Sequence, residues 1–248
     1  MNYKITILLV SIVFVALLII PANYVGKNYV GKITSESNVS EGMPSGFEVE
    51  LTSMSKTEVR TRNAAVKIYS PNGSYGSGAY FLFENHHIVL TAAHVVGNGD
   101  IFLVIDKWSN ERFGQVIYRD IEKDFAMILI PKFQKTKPLK LKLPQYDIKD
   151  KIGSEFVFSG YPARQELTTV RGRVSAFEGP YFVLHSAAWR GSSGSCLFDK
   201  SGNFVGVLTA VTISNFNDAP VLIEDFVWVL SYSEINWEET KTALESVN

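Results

Sequence analysis

The sequence predicts an all-β protein. Short runs rich in β-branched and aromatic residues recur from Lys56 onward, and turn signals such as Pro71-Asn72-Gly73, Gly97-Asn98-Gly99 and Lys200-Ser201-Gly202 divide them. No long amphipathic helical pattern precedes Ser233–Val247. A sandwich or barrels fits this pattern, and α/β layering does not.

At the amino terminus, Ile5 to Ala22 is an uncharged run of 18 residues preceded by Lys4. As a helix it would reach about 27 Å, close to the ~30 Å of a bilayer's hydrocarbon. Ile20-Pro21-Ala22 is a poor small-x-small cleavage site, so the expectation is a retained transmembrane anchor, with secretion after signal cleavage as the alternative. Lys4 on one side and Lys27 and Lys32 on the other scarcely orient it. The signal-like start implies that the rest of the chain is exported. Asn23 to about Ser55, rich in Gly, Ser, Asn and Glu, reads as a flexible stalk.

The folded unit is then expected over 56–248. Its strands are read at Ala65–Tyr69, Ala79–Phe83, His87–Leu90, Ile101–Ile105, Phe113–Tyr118, Ala126–Ile130, Glu155–Phe158, Thr168–Ser175, Tyr181–His185 and Phe204–Val211. Between them, residues 132–151 hold seven lysines against two aspartates, and Pro131, Pro138 and Pro144 interrupt any regular strand. That stretch reads as a solvated linker between two β units, rather than as a surface for anionic lipid. Ser233–Val247 carries Ile235, Trp237, Thr240, Ala243, Leu244 and Val247 near helical spacing and reads as a helix packed on the β domain.

Composition narrows the chemistry. Twenty-four basic against 25 acidic side chains leave a net charge of −1, too little field to hold a nucleic-acid backbone. One cysteine, Cys196, cannot close an internal disulfide and reads as small core packing rather than a reactive thiolate. It and the four histidines show no metal-ligand spacing, so neither metal nor cofactor is called for.

Three segments complement one another. Gly76-Ser77-Gly78-Ala79-Tyr80-Phe81 and Ile88-Val89-Leu90-Thr91-Ala92-Ala93-His94 place a histidine at the end of an apolar run. Asp124 stands where a polar loop enters the apolar run Phe125–Ile130. In Gly191-Ser192-Ser193-Gly194-Ser195, glycines flank a serine pair just before a strand, as needed where a hydroxyl and successive backbone N–H groups are exposed together. Separately these read as a strand-end histidine, a turn aspartate and a glycine-serine turn. Together they supply base, orienting acid and nucleophile.

On these motifs the chain resembles the chymotrypsin-fold serine proteases, and most of all the HtrA/Deg-type members, over roughly Lys56 to Tyr232. The order His, Asp, Ser and the separations of 30 and 69 residues are similar to the short-loop members. The resemblance implies two six-stranded antiparallel β-barrels, about 56–131 and 152–232, with the active site in the cleft between them. His94 and Asp124 would come from the first barrel and Ser193 from the second, with Gly191 and Ser193 N–H groups as the oxyanion hole. An α/β-hydrolase elbow fails, because position 195 is serine, no helix pattern follows, and no histidine follows Ser193.

The same resemblance implies that Ala187, Ala188, Leu208, Thr209, Ala210 and Val211 line the primary specificity pocket. None carries a charge, so small or medium aliphatic residues are expected before the cut. His185 is within reach of that pocket but reads as structural. Ser192, where digestive trypsins place an aspartate, rules out activation by an ion pair with a new amino terminus. The 55 residues after Ser193 are expected to complete the barrel without a PDZ-type domain. The expected partner is a protein or peptide substrate. A catalytically silent peptide-binding member of the fold and an anchored polyprotein processor are the alternatives.

Overall fold

A computed structural model describes residues 54–70, 73–216 and 219–247. The expected anchor, 1–22, and nearly all of the stalk lie outside them. Among the described residues no helix is long and apolar enough to cross a membrane.

The chain enters through a helix, α1 (Lys56–Ala64), that the hydrophobic pattern does not announce because the segment is almost wholly polar. Its start is written in Ser55-x-x-Glu58: the Ser55 hydroxyl accepts from Glu58 N–H at 3.2 Å, and the Glu58 carboxylate accepts from Ser55 N–H at 2.7 Å. Glu58 also takes a bidentate grip from Arg171, and Arg62 donates to Thr169 at 3.0 Å. α1 is therefore fastened to the second barrel before it runs directly into the first.

Strands β1 (Ala65–Tyr69), β2 (Tyr75–Phe83), β3 (His86–Thr91), β4 (Ile101–Asp106), β5 (Glu111–Asp120) and β6 (Phe125–Leu129) form the first barrel in the order β1-β4-β5-β6-β3-β2, closed by antiparallel β1–β2 pairing. A two-residue β7 (Leu139–Lys140), within the lysine-rich segment, adds to β2 in parallel. The second barrel comprises β8 (Glu155–Gly160), β9 (Thr168–Glu178), β10 (Tyr181–His185), β11 (Cys196–Phe198), β12 (Phe204–Phe216) and β13 (Ala219–Ser231), closed in the order β10-β13-β12-β11-β8-β9. β7, β11 and β13 are additional to the strands read from sequence. β11 spans three residues, too few to show a period of two.

One buried cluster runs from the first barrel, through Phe81, Phe102 and Met127, to Phe198, Phe204 and Leu230 of the second. The Phe81 ring lies 6.0 Å from Phe198 and 5.9 Å from Phe204. A separate cluster, including Phe156, Phe182, Leu184 and Val229, fills the second barrel. The closing helix is shorter than Ser233–Val247. Tyr232–Glu234 is a 3-10 turn, and α3 (Trp237–Glu245) begins only where the Asn236 side chain caps Glu239 N–H. Trp237 stacks edge-on against Phe83, Phe125 and Phe204 and so ties α3 to both barrels.

Candidate active site

His94 lies on the short helix α2 (Ala93–Val96), just after β3. Asp124 ends the turn between β5 and β6 with φ of 58°, a left-handed conformation that aspartate tolerates better than most residues. The turn is pinned by Lys123, whose N–H donates to the Asp120 carboxylate at 2.9 Å and whose ammonium donates to Glu234 C=O at 2.6 Å. From there the Asp124 carboxylate grips His94 twice, Oδ2 on ring Nδ1 at 2.7 Å and Oδ1 on backbone N–H at 2.8 Å. The imidazole is 48% exposed and the carboxylate 22% exposed, so the ring is open to solvent while the carboxylate that holds it is more sheltered.

The segment 191–195 belongs to the second barrel but is bonded to the first. Ser77 N–H on β2 donates to Ser193 C=O at 2.8 Å. A side chain at Gly194 would overlap Ser77 O and Thr91 Oγ1 and lie 3.1 Å from Ala92 N, two residues before His94. One at Gly76 would lie 3.1 Å from Ser193 O and collide with Val95, the residue after His94. Backbone contact thus brings the serine turn against the histidine segment. Ser193 is half-buried, and among the described residues its hydroxyl makes no hydrogen bond to the imidazole. Such bonds are commonly long before substrate is bound.

The turn has an alternating pattern. The N–H groups of Ser192, Gly194 and Ser195 donate to Trp189 O at 2.9 Å, Leu208 O at 2.7 Å and Ser192 O at 3.0 Å. Those of Gly191 and Ser193 have no acceptor among the described residues. Gly191, at φ of 94°, takes a conformation suited to glycine. Two unbonded donors, separated by one residue, at a nucleophile candidate could serve a developing oxyanion. The Ser192 hydroxyl is occupied locally, accepting from Trp189 N–H at 3.3 Å.

The residues expected to line the specificity pocket are placed unequally. Ala187 and Ala210 are exposed, Val211 is partly so, and Ala188 is buried. Leu208 is 1% exposed and packs in the core of the second barrel, so its side chain faces inward. Thr209 is bulged out of the β12–β13 register, and its hydroxyl donates to Trp228 O at 3.2 Å. His185 lies against the Phe226 ring, 6.1 Å between centroids. Cys196 is buried with its thiol directed at Leu90 O, and burial pushes its pKa up. Among the described residues no three His, Cys, Asp or Glu side chains gather where they could share a metal ion.

Sequence reasoning passed over three residues that shape this site. Ser77 donates from its hydroxyl to Gly191 O at 2.6 Å and accepts from Tyr161 N–H at 2.9 Å. Ala163, also left-handed at φ of 49°, donates its N–H to Arg190 O at 2.6 Å. The one signal was Gly76-Ser77-Gly78, because glycines within a strand mark close backbone approach.

A family model described as a trypsin-like peptidase domain matches residues 76–207. Among curated proteins, a probable periplasmic serine endoprotease, DegP-like, of Rhizobium meliloti is 31% identical over 144 residues, 55% of this chain and 28% of the relative. Its counterpart in Brucella suis is 31% identical over 142 residues, 54% and 27% of the two chains. The chain thus spans under a third of the length of these relatives. Among solved structures, the Rv3671c protease of M. tuberculosis in its active form superposes with a TM-score of 0.62 at 21% identity, covering 86% of this chain and 94% of that one. The HtrA-type protease AlgW with a tripeptide gives 0.57 at 22%, covering 76% and 60%. Both share the double-barrel fold.

Proposed function

This chain belongs to the trypsin-like peptidase family, and from that premise we propose that it is a serine endopeptidase acting through Ser193, His94 and Asp124. The observation that carries the reading is the double grip of Asp124 on His94, which leaves Nε2 as the free basic nitrogen. Ser193 Oγ attacks the peptide carbonyl carbon as its proton passes to His94 Nε2. The tetrahedral oxyanion is met by the N–H groups of Gly191 and Ser193, each worth roughly 3–4 kcal/mol in comparable sites. His94 then gives its proton to the leaving amine as the C–N bond breaks. Water, deprotonated by the same imidazole, hydrolyses the acyl-enzyme.

The exposed Ala187 and Ala210 and the partly exposed Val211 carry no charge, which suits a small or medium aliphatic residue before the cut, since a buried charge there would find no partner; Ala188 and Thr209 are buried. Leu208 contributes only backbone. Profiling with a peptide library checks this, and cleavage confined to sites after Arg or Lys would refute it. The curated relatives are named periplasmic, which supports an extracytoplasmic protease. Ile5–Ala22 suits its anchor, testable by whether alkaline carbonate leaves the protein in membranes.

A fluorophosphonate probe tests the chemistry. It is expected to label the full chain at Ser193, with labelling and peptide hydrolysis both lost in Ser193→Ala. Labelling that persists in that variant would sink the nucleophile assignment.

A further inference from the structure

We propose that Ser77 is a positioning residue that holds the two oxyanion-binding N–H groups in place, an inference resting on the reading of Ser193 as nucleophile. In a trans peptide the C=O and N–H point in opposite directions, so the four peptide units from Arg190 to Gly194 can be followed one by one. Every carbonyl among them is bonded. Arg190 O accepts from Ala163 N–H at 2.6 Å, Gly191 O from the Ser77 hydroxyl at 2.6 Å, Ser192 O from Ser195 N–H at 3.0 Å and Ser193 O from Ser77 N–H at 2.8 Å. The second and fourth units are held by Ser77. The first and third present the unbonded N–H groups of Gly191 and Ser193.

For one unit to turn over, the torsions on either side of it must rotate together. With the second and fourth units tied to Ser77, the third is clamped from both ends. The weak joint is Gly191, whose left-handed φ of 94° leaves it free of the Cβ that would restrict other residues. The Ser77 hydroxyl bond lies immediately after that joint. The same oxygen accepts from Tyr161 N–H at 2.9 Å, two residues before the Ala163 N–H that holds the first unit. On its other side, Ser77 C=O accepts from the Thr91 hydroxyl at 2.7 Å, three residues before His94. Ser77 is fully buried. Ser77 therefore couples the oxyanion turn and the segment that braces it through its hydroxyl, and the strand that precedes His94 through its backbone C=O.

Removing that hydroxyl leaves Gly191 O and Tyr161 N–H unpaired in the interior, and rotation at Gly191 that satisfies the carbonyl elsewhere turns a donor away from the reacting oxygen. The full chain, its Ser77→Ala variant and its Ser77→Thr variant are to be titrated with a fluorophosphonate probe, whose phosphoryl oxygen needs the same two donors. The maximal labelling rate of Ser77→Ala is expected to fall about 10- to 100-fold, with the half-saturating probe concentration changed less than about threefold. Ser77→Thr, which keeps the hydroxyl, is expected within about threefold of the parent rate. If Ser77→Ala does not fold, Ser77→Cys, similar in size but a weak donor, takes its place with the same expected slowing.

An undiminished rate in Ser77→Ala, a loss confined to probe affinity, or Ser77→Thr as slow as Ser77→Ala would each overturn the inference. Ser193→Ala, run in parallel, keeps the two readings apart. Labelling that survives there removes the nucleophile itself, whereas labelling lost there but intact in Ser77→Ala removes only the role of Ser77.

Discussion

Asp124 binds His94 at two points, the ring Nδ1 at 2.7 Å and the backbone N–H at 2.8 Å, so one carboxylate sets both the rotation of the imidazole and the start of the helix that bears it. Asp124→Asn separates charge from shape. Asparagine tolerates the left-handed φ of 58°, so the melting temperature is expected to move little. Its amide nitrogen favours the wrong imidazole tautomer, and kcat/KM on a fluorogenic peptide is expected to fall about 10³- to 10⁴-fold.

Glu58 links acid stability to the clasp between α1 and the second barrel. The Arg171 guanidinium bonded to it holds its carboxyl well below the ordinary 4.5, at about 2. A depressed native value means that the contribution is fully present above pH 4.5 and disappears as pH falls from there towards about 2. Glu58→Gln is expected to lower stability by about 1–3 kcal/mol at pH 7 and to flatten that part of the profile. Denaturant melts across the acid range measure both.

Gly194 has no room for a side chain. At φ of 85°, a Cβ would overlap Ser77 O and Thr91 Oγ1, both backed by packed strands. Gly194→Ala is expected to cost about 2–4 kcal/mol, through strain and overpacking together, and to abolish labelling of Ser193. A parent-like melt with full labelling would contradict the close approach of the two barrels at this point.

Cys196 is expected to be silent. Burial raises its pKa, and its thiol is directed at Leu90 O. Iodoacetamide should leave the native protein unmodified and add one adduct after denaturation, read by intact mass. Peptide hydrolysis should be indifferent to the reagent.

The all-β character was legible because most strands display β-rich runs between turn residues, as at Ala65–Tyr69 and Tyr181–His185, where expected and observed limits coincide, while closure into two barrels was implied only by the resemblance. β11 and α1 were not. Cys196–Phe198 is too short for a period, and α1 is nearly all polar, although its Ser55-x-x-Glu58 cap was there to be read. The helix expected from Ser233 loses its first turn because Tyr232–Glu234 forms a tighter 3-10 turn and Asn236 supplies the cap.

From its sequence alone, this protein is legible as a β-rich domain with candidate base, acid and nucleophile in a particular order, because strand composition, turn chemistry and short motifs are local properties of a chain. What only the tertiary structure decided is how the turn Gly191–Ser195 is held. Ser77 bonds across 84 residues to Tyr161 and across 114 to Gly191, and Leu208 faces the core instead of the cleft. A hydrogen bond between distant segments depends on where two folded backbones meet, and that meeting leaves almost no trace in the composition of either one.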